Sequence, residues 1–155
     1  MDKYIVTHDE IESSEGVQQT HPLNDNAHRR VKNLGDVTGL KNIGVHIFEV
    51  QPGRQSTEPH FHHHEEECIY ILEGEALATI GDSTFTVRSG DFIGYRAGGE
   101  PHGLENSGVD VLRYLVIGQR LAHDVVDYPN IRKRLFINEN LPMNLVDFDD
   151  LTDQN

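Results

Sequence analysis

The sequence predicts an all-β fold, an antiparallel sandwich or barrel, and three observations carry that expectation. The apolar residues of this 155-residue chain are bunched between about positions 43 and 117. Within that span they form short β-rich runs at 45–50, 68–72, 76–80, 84–88, 92–95 and 111–117, each bounded by Gly, Pro, Asp or Ser. Such runs, repeating every ~8–12 residues with turn formers between them, are the signature of sandwiches and barrels. Glu73-Gly74-Glu75 and Gly81-Asp82-Ser83 put a glycine between successive runs, where hairpins need positive φ, so these strands are expected to be antiparallel neighbours.

Taken in order, residues 1–28 are polar and acidic. Ser13, Ser14, Glu15, Gly16, Gln18 and Gln19 interrupt any apolar period, which predicts an extended N-terminal arm. From Arg29 to Lys41, Gly35 and Gly39 stand amid scattered apolar residues and predict turns linking short strands, so the compact domain is expected over 29–120. Beyond Gly118 the pattern weakens at Pro129, Asn130 and Pro142 and ends on Asp147, Asp149, Asp150 and Asp153. Residues 121–155 are therefore read as an extension, a short helix or irregular tail, packing on the barrel. The length fits one domain.

Composition excludes several function classes. Thirteen basic against twenty-six acidic side chains give a formal charge of −13, which repels phosphate backbones and anionic bilayers. Neither nucleic acid nor a membrane is an expected partner. The longest basic cluster, Arg132-Lys133-Arg134, is read as a solvated face. No apolar stretch approaches the roughly 18–20 residues of a membrane helix. The single cysteine, Cys68, cannot form an internal disulfide, and Met1-Asp2-Lys3-Tyr4 lacks the basic-then-apolar start of a secretory signal, so a cytoplasmic protein is expected. Phosphate loops, serine nucleophile elbows and paired-cysteine zinc motifs are missing from the sequence.

Chemistry is concentrated in the histidines. Four of the ten fall in His60-Phe61-His62-His63-His64-Glu65-Glu66-Glu67, directly before a β-rich run. Residues two apart on a strand share a face, so His60 and His62 can offer two imidazoles to one metal while Phe61 points away. Glu67, at an odd offset from His62, rejoins that face only if residues 63–66 form a turn or bulge. His102, in Gly98-Gly99-Glu100-Pro101-His102-Gly103, sits at a bend from which an antiparallel strand can bring it opposite His60 and His62. The same run can also be a solvated loop that binds metal adventitiously, and a shifted register would use His62 and His64 with Glu65 or Glu66. Cys68 should face away from the site as a packed small residue. His46 is read as a core or surface residue, and His8, His21, His28 and His123 as structural or incidental.

These landmarks resemble the cupin superfamily. Its first motif, a Gly, a spacer, His-x-His, a Glu and a Gly, is met by Gly53, His60, His62, Glu67 and Gly74; its second by Gly90, Gly98, His102 and Asn106. The departures are a Gly53 one residue too far from His60, Arg96 where proline is usual, and His102 one residue late. The resemblance implies a double-stranded β-helix, or jelly roll, holding one divalent transition metal (Zn, Mn, Fe or Ni) through His60, His62, Glu67 and His102. The spacing to Gly74 favours Glu67 over its neighbours.

Tyr70-Ile71-Leu72-Glu73-Gly74 and Asp124-Val125-Val126-Asp127-Tyr128-Pro129 further resemble small single-domain cupins associated with sugar-phosphate isomerases. The implied function is a metalloenzyme acting on a small polar or carbohydrate-like molecule, isomerase- or epimerase-like, or an oxygenase if iron is bound. The alternative is a non-catalytic metal or small-ligand binding module. No catalytic residue is assigned: Tyr95, Glu49, Arg113 and Glu105 are the candidate acids and bases, and Arg96 is a candidate cation for an anionic substrate group. A homodimer clasped by the N-terminal arm is expected.

Overall fold

In the computed structural model, which describes residues 3–152, nearly all regular structure is β. A six-residue helix, α1 (His8–Ser13), comes first. The strands are β1 (Val17–His21), β2 (Asn24–Asn33), β3 (Ile43–Val50), β4 (Phe61–His62), β5 (Glu67–Glu73), β6 (Glu75–Ile80), β7 (Ser83–Arg88), β8 (Phe92–Tyr95), β9 (His102–Glu105), β10 (Leu112–Gln119), β11 (His123–Tyr128), β12 (Lys133–Asn138) and β13 (Asn144–Asp147). Three antiparallel sheets result, in the orders β1-β2-β3-β10-β5-β8, β7-β6-β9 and β13-β12-β11-β4.

Alternation builds the core. On β10, Leu112, Tyr114 and Val116 are buried while Arg113, Leu115 and Ile117 are less so. They join Val50, Ile69, Ile71, Ile93 and Tyr95 from the large sheet and Ala76, Ala78 and Leu104 from the three-stranded sheet in one cluster, so these two sheets pack face to face. Fully burying a side chain such as Ile71 contributes about 1.5–3 kcal/mol.

Gly74 corrects one expectation. The Gly81 turn does close a hairpin, with Ile80 opposite Ser83. But β5 pairs with β10 and β8, and β6 with β7 and β9, so Glu73-Gly74-Glu75 is a corner between sheets. Gly74 is left-handed there (φ 89°), and a Cβ on it would lie 3.1 Å from both Leu112 Cα and Val111 O. Local turn chemistry reports the bend, and which strands pair across it is settled by the remote partners β10 and β9.

The polar ends are more ordered than their composition suggests. The segment read as an extended arm contains α1 and the β1–β2 hairpin, and β2 joins the large sheet through Arg30, Val31, Lys32 and Asn33 opposite Glu49, Phe48, Ile47 and His46. Thr7 and Glu10 form a capping box on α1, and Lys32 Nζ donates to Ile11 O (2.9 Å), pinning the helix to the sheet's outer side. Backbone ladders at the edge and ion pairs replace the apolar period that sequence reading looks for. Likewise, residues 121–155, expected to be a short helix or irregular, supply β11, β12 and β13, which form a sheet completed by β4 against β11. No helix among the described residues is long and apolar enough to cross a membrane.

Candidate metal centre

The two histidine-bearing segments meet across a single antiparallel bridge. His60 N donates to His102 O (3.1 Å) and His102 N to His60 O (2.9 Å). β4 holds His62 in place by pairing with β11, Val126 opposite His62. Residues 63–66 bend out of strand geometry, so Glu67, the first residue of β5, returns to the same side. His60, His62, Glu67 and His102 thus line one cavity of about 220 Å³. The His60 ring lies 5.1 Å from that of His62 and 5.0 Å from that of His102.

Each imidazole is oriented through its Nδ1. His60 Nδ1 faces Glu58 O (2.8 Å), His102 Nδ1 faces Glu100 O (3.2 Å), and His62 Nδ1 faces Asp124 Oδ2 (2.5 Å). A carbonyl or carboxylate oxygen can only accept, so Nδ1 carries a proton, and in the neutral ring Nε2 is then the atom with the lone pair. His102 Nε2 is buried with no hydrogen-bond partner. Burial, then the neighbouring His102 and His62, holds His60 down to about 3, and burial holds His102 down to about 4 against its bond to the Glu100 carbonyl. Both are therefore neutral, the form that binds metal. Burial pushes the Glu67 carboxyl up, opposed by His62 and Arg29. Imidazole lone pairs beside a carboxylate suit a divalent first-row metal.

His62, Glu65 and Asp124 bring ligand-type atoms within 4.8 Å of one another and offer a second possible cation site. Three of their four carboxylate oxygens already accept hydrogen bonds. Asp124, 1% exposed, also accepts His64 N (3.0 Å) and Glu65 N (3.4 Å), and Glu65 Oε1 accepts Leu121 N (2.7 Å). This group supports and orients His62 from behind, as carboxylates do for metal-bound histidines. The run is consequently not a solvated loop, and Glu65 is half-buried; only Glu66 and His64 of it are exposed. His63 pairs with Asp127 (3.0 Å).

The candidate acids and bases scatter. Tyr95 is buried in the cavity wall, its ring stacked on His102 (3.6 Å, 5°) and its hydroxyl without a partner. Burial pushes its pKa up. Glu49 and Arg113 lie outside the cavity, in ion pairs with Lys32 (3.5 Å), Glu73 (3.4 Å) and each other (3.8 Å). Glu105 also lies outside, within reach of Gln55 Nε2 (3.4 Å), and Arg96 is exposed. Cys68 faces a shallow outer groove, as its alternation with Glu67 requires. His46 is half-buried beside Phe48 and does not line the cavity.

Sequence reading missed Arg29, His21, Tyr114, Tyr128 and Asp124. The first four line the cavity; Asp124 and Tyr128 fall in the quoted Asp-Val-Val-Asp-Tyr-Pro string, the only sequence signal for any of them.

Comparison with known proteins agrees with this geometry. Residues 46–118 match the Cupin_2 family, a cupin domain. An uncharacterized protein of Methanocaldococcus jannaschii is 39% identical over 66 residues, 43% of this chain and 52% of that protein, so the match spans about half of the relative's length. A structure from Silicibacter pomeroyi named a sugar phosphate isomerase from a cupin superfamily superposes with a TM-score of 0.81 over 91% of this chain and 94% of that one; at 24% identity it speaks to fold alone. A structure from Acidithiobacillus ferrooxidans, named provisionally as a sugar phosphate isomerase, is 42% identical over 99% of this chain and 97% of its own, with a TM-score of 0.95. Agreement at that level along nearly the whole of both chains, with the family's histidine motifs joined across one bridge, makes this chain a small single-domain member of the cupin superfamily.

Proposed function

We propose that this protein holds one divalent transition metal, Zn, Mn, Fe or Ni, through His60, His62, Glu67 and His102, and is a metal-dependent enzyme acting on a small polar, carbohydrate-like molecule in an isomerase- or epimerase-like reaction. The observation that carries it is the common orientation of the imidazoles, each with Nδ1 spent on an acceptor and Nε2 left free. The relative from Acidithiobacillus ferrooxidans points to the same class. Bound there, a metal would polarise a substrate carbonyl or hydroxyl, or support oxygen chemistry if it is iron. The protein's own part is to hold that donor set rigid, to limit water with Phe48, Ile69, Val116 and Val126, and to orient a ligand.

A second reading, a non-catalytic binding module, draws on the proton inventory of the cavity. Burial pushes the Tyr95, Tyr114 and Tyr128 phenols up, and His21 Nδ1 already accepts Leu23 N (3.2 Å), so none is a ready base. Elemental analysis of unsupplemented protein, followed by a screen of aldose and ketose phosphates for isomerisation, separates the two: metal with turnover supports the enzyme, metal with binding but no turnover the module.

A cytoplasmic homodimer completes the proposal. Tyr70 and Phe92, register partners on the outer face of the large sheet, are 45% and 66% exposed and suit burial against a second copy. Light scattering showing only the 17.5 kDa monomer at every concentration removes the dimer.

A further inference from the structure

Arg29 is out of place for a structural arginine. It projects from β2 into the cavity, its guanidinium carbon 4.5 Å above the centre of the Phe48 ring. Nη1 donates to Ser56 O (2.7 Å), and Nε is buried with no partner. No carboxylate lies within ion-pairing distance of it among the described residues, although acids outnumber bases two to one in this chain. Arg30, Lys32, Arg113, Arg120, Arg132, Lys133 and Arg134 all have such a partner. Burial pulls the Arg29 pKa down, while Tyr114, Glu67 and Tyr128 pull it back up, which places the cation among the cavity's polar groups.

With Nη1 occupied, the side-on edge of the guanidinium, Nε with Nη2, is left. That edge presents two parallel N–H donors and matches two oxygens of a carboxylate or phosphate. A desolvated cation with an idle donor is costly unless something completes it. The nearby His21 adds a neutral donor: its Nδ1 accepts Leu23 N, so its proton sits on Nε2.

We infer that Arg29 is the anchor of an oxyanion subsite within the cavity, and that the ligand is a small organic anion whose carboxylate or phosphate docks on Arg29 while its hydroxyl or carbonyl end lies toward His60, His62, Glu67 and His102. This rests on the proposed function for the second end only. A volume of about 220 Å³, below the 300–1,000 Å³ usual for drug-sized ligands, restricts the ligand to a small acid.

The test is calorimetric titration of the purified full chain with glycerol 3-phosphate, glycerate and glycerol, three probes sharing one carbon skeleton, with metal content measured on the same sample. One or both anions should bind and glycerol should not; the one that binds more tightly identifies phosphate or carboxylate as the group recognised. Arg29→Met should weaken anion binding by roughly ten- to a hundredfold at unchanged metal content. Arg29→Lys keeps a charge without the side-on fork and should also weaken it, which decides the matter if the methionine variant does not fold. Anion affinity unchanged in Arg29→Lys, or glycerol binding as tightly as the anions, overturns the inference. A chain purified without metal that still binds anions through Arg29 leaves this inference standing and removes the metal centre instead.

Discussion

The two faces of the six-stranded sheet use the same strands and treat charge in opposite ways. On the outer face, Lys32 and Arg113 both meet Glu49, and Arg113 also reaches Glu12 and Glu73, so each charge is neutralised within the chain. On the inner face, one residue away along the same strands, Arg29 has no ion-pair partner among the described residues and spends only Nη1, on Ser56 O, and the Tyr95 hydroxyl is buried with no hydrogen-bond partner. Structural charge finds its counter-charge in the protein, whereas charge reserved for a ligand leaves its capacity unfilled. That contrast rests on no motif and supports the proposed site on the inner face.

The strongest way to break the comparison is to empty the inner face. Replacing His60, His62 and His102 together by alanine should abolish the roughly one metal per chain that the proposed function expects of the wild type; full occupancy in a folded triple variant, read by elemental analysis, would move the site elsewhere. Asp124→Asn should reduce metal affinity by roughly 10- to 100-fold, because it loosens His62 without removing a ligand. Glu67→Gln should weaken retention after dialysis and exposed Glu66→Gln should not; equal loss in both would mean a diffuse electrostatic patch.

pH sharpens the contrast in metal-free protein. His60 and His102 have folded pKa values of about 3 and about 4, below the 6.5 expected when unfolded. The unfolded chain therefore takes up protons that the folded one refuses, so their stabilisation is present above pH 6.5 and is lost as pH falls toward 4, at up to about 1.4 kcal/mol per pH unit for each group. Urea titrations between pH 7 and 4.5 should show the decline, and a slope unchanged in the triple alanine variant would refute its origin. The smallest effect belongs to the outer face: Arg30→Gln, on an exposed 3.8 Å pair with Glu49, should change stability by less than about 1 kcal/mol in the same assay.

Much of the fold is legible because it is periodic. The runs at 45–50, 68–72, 76–80, 84–88, 92–95 and 111–117 lie within β3, β5, β6, β7 and β8 and overlap β10, each buried on alternate residues or bounded by a tight turn. β1, β2 and β11 to β13 are not legible, since β1 and β2 are polar, β11 to β13 show no clean alternation, and all hold by ladders with partners fixed only in the fold.

What the sequence determines by itself is the β class and the set of chemical groups, since alternation and the His60, His62, Glu67 and His102 spacing are local properties of the chain. Tertiary structure alone decides which strands pair across Gly74, that Asp124 stands 62 positions from the His62 it orients, and that Arg29 faces the cavity while Arg30 faces solvent. Those outcomes depend on pairing registers between remote segments. A one-residue slip of β2 would exchange its two arginines, and the ladder with β3 and the Ala27–Gln55 bridge oppose it.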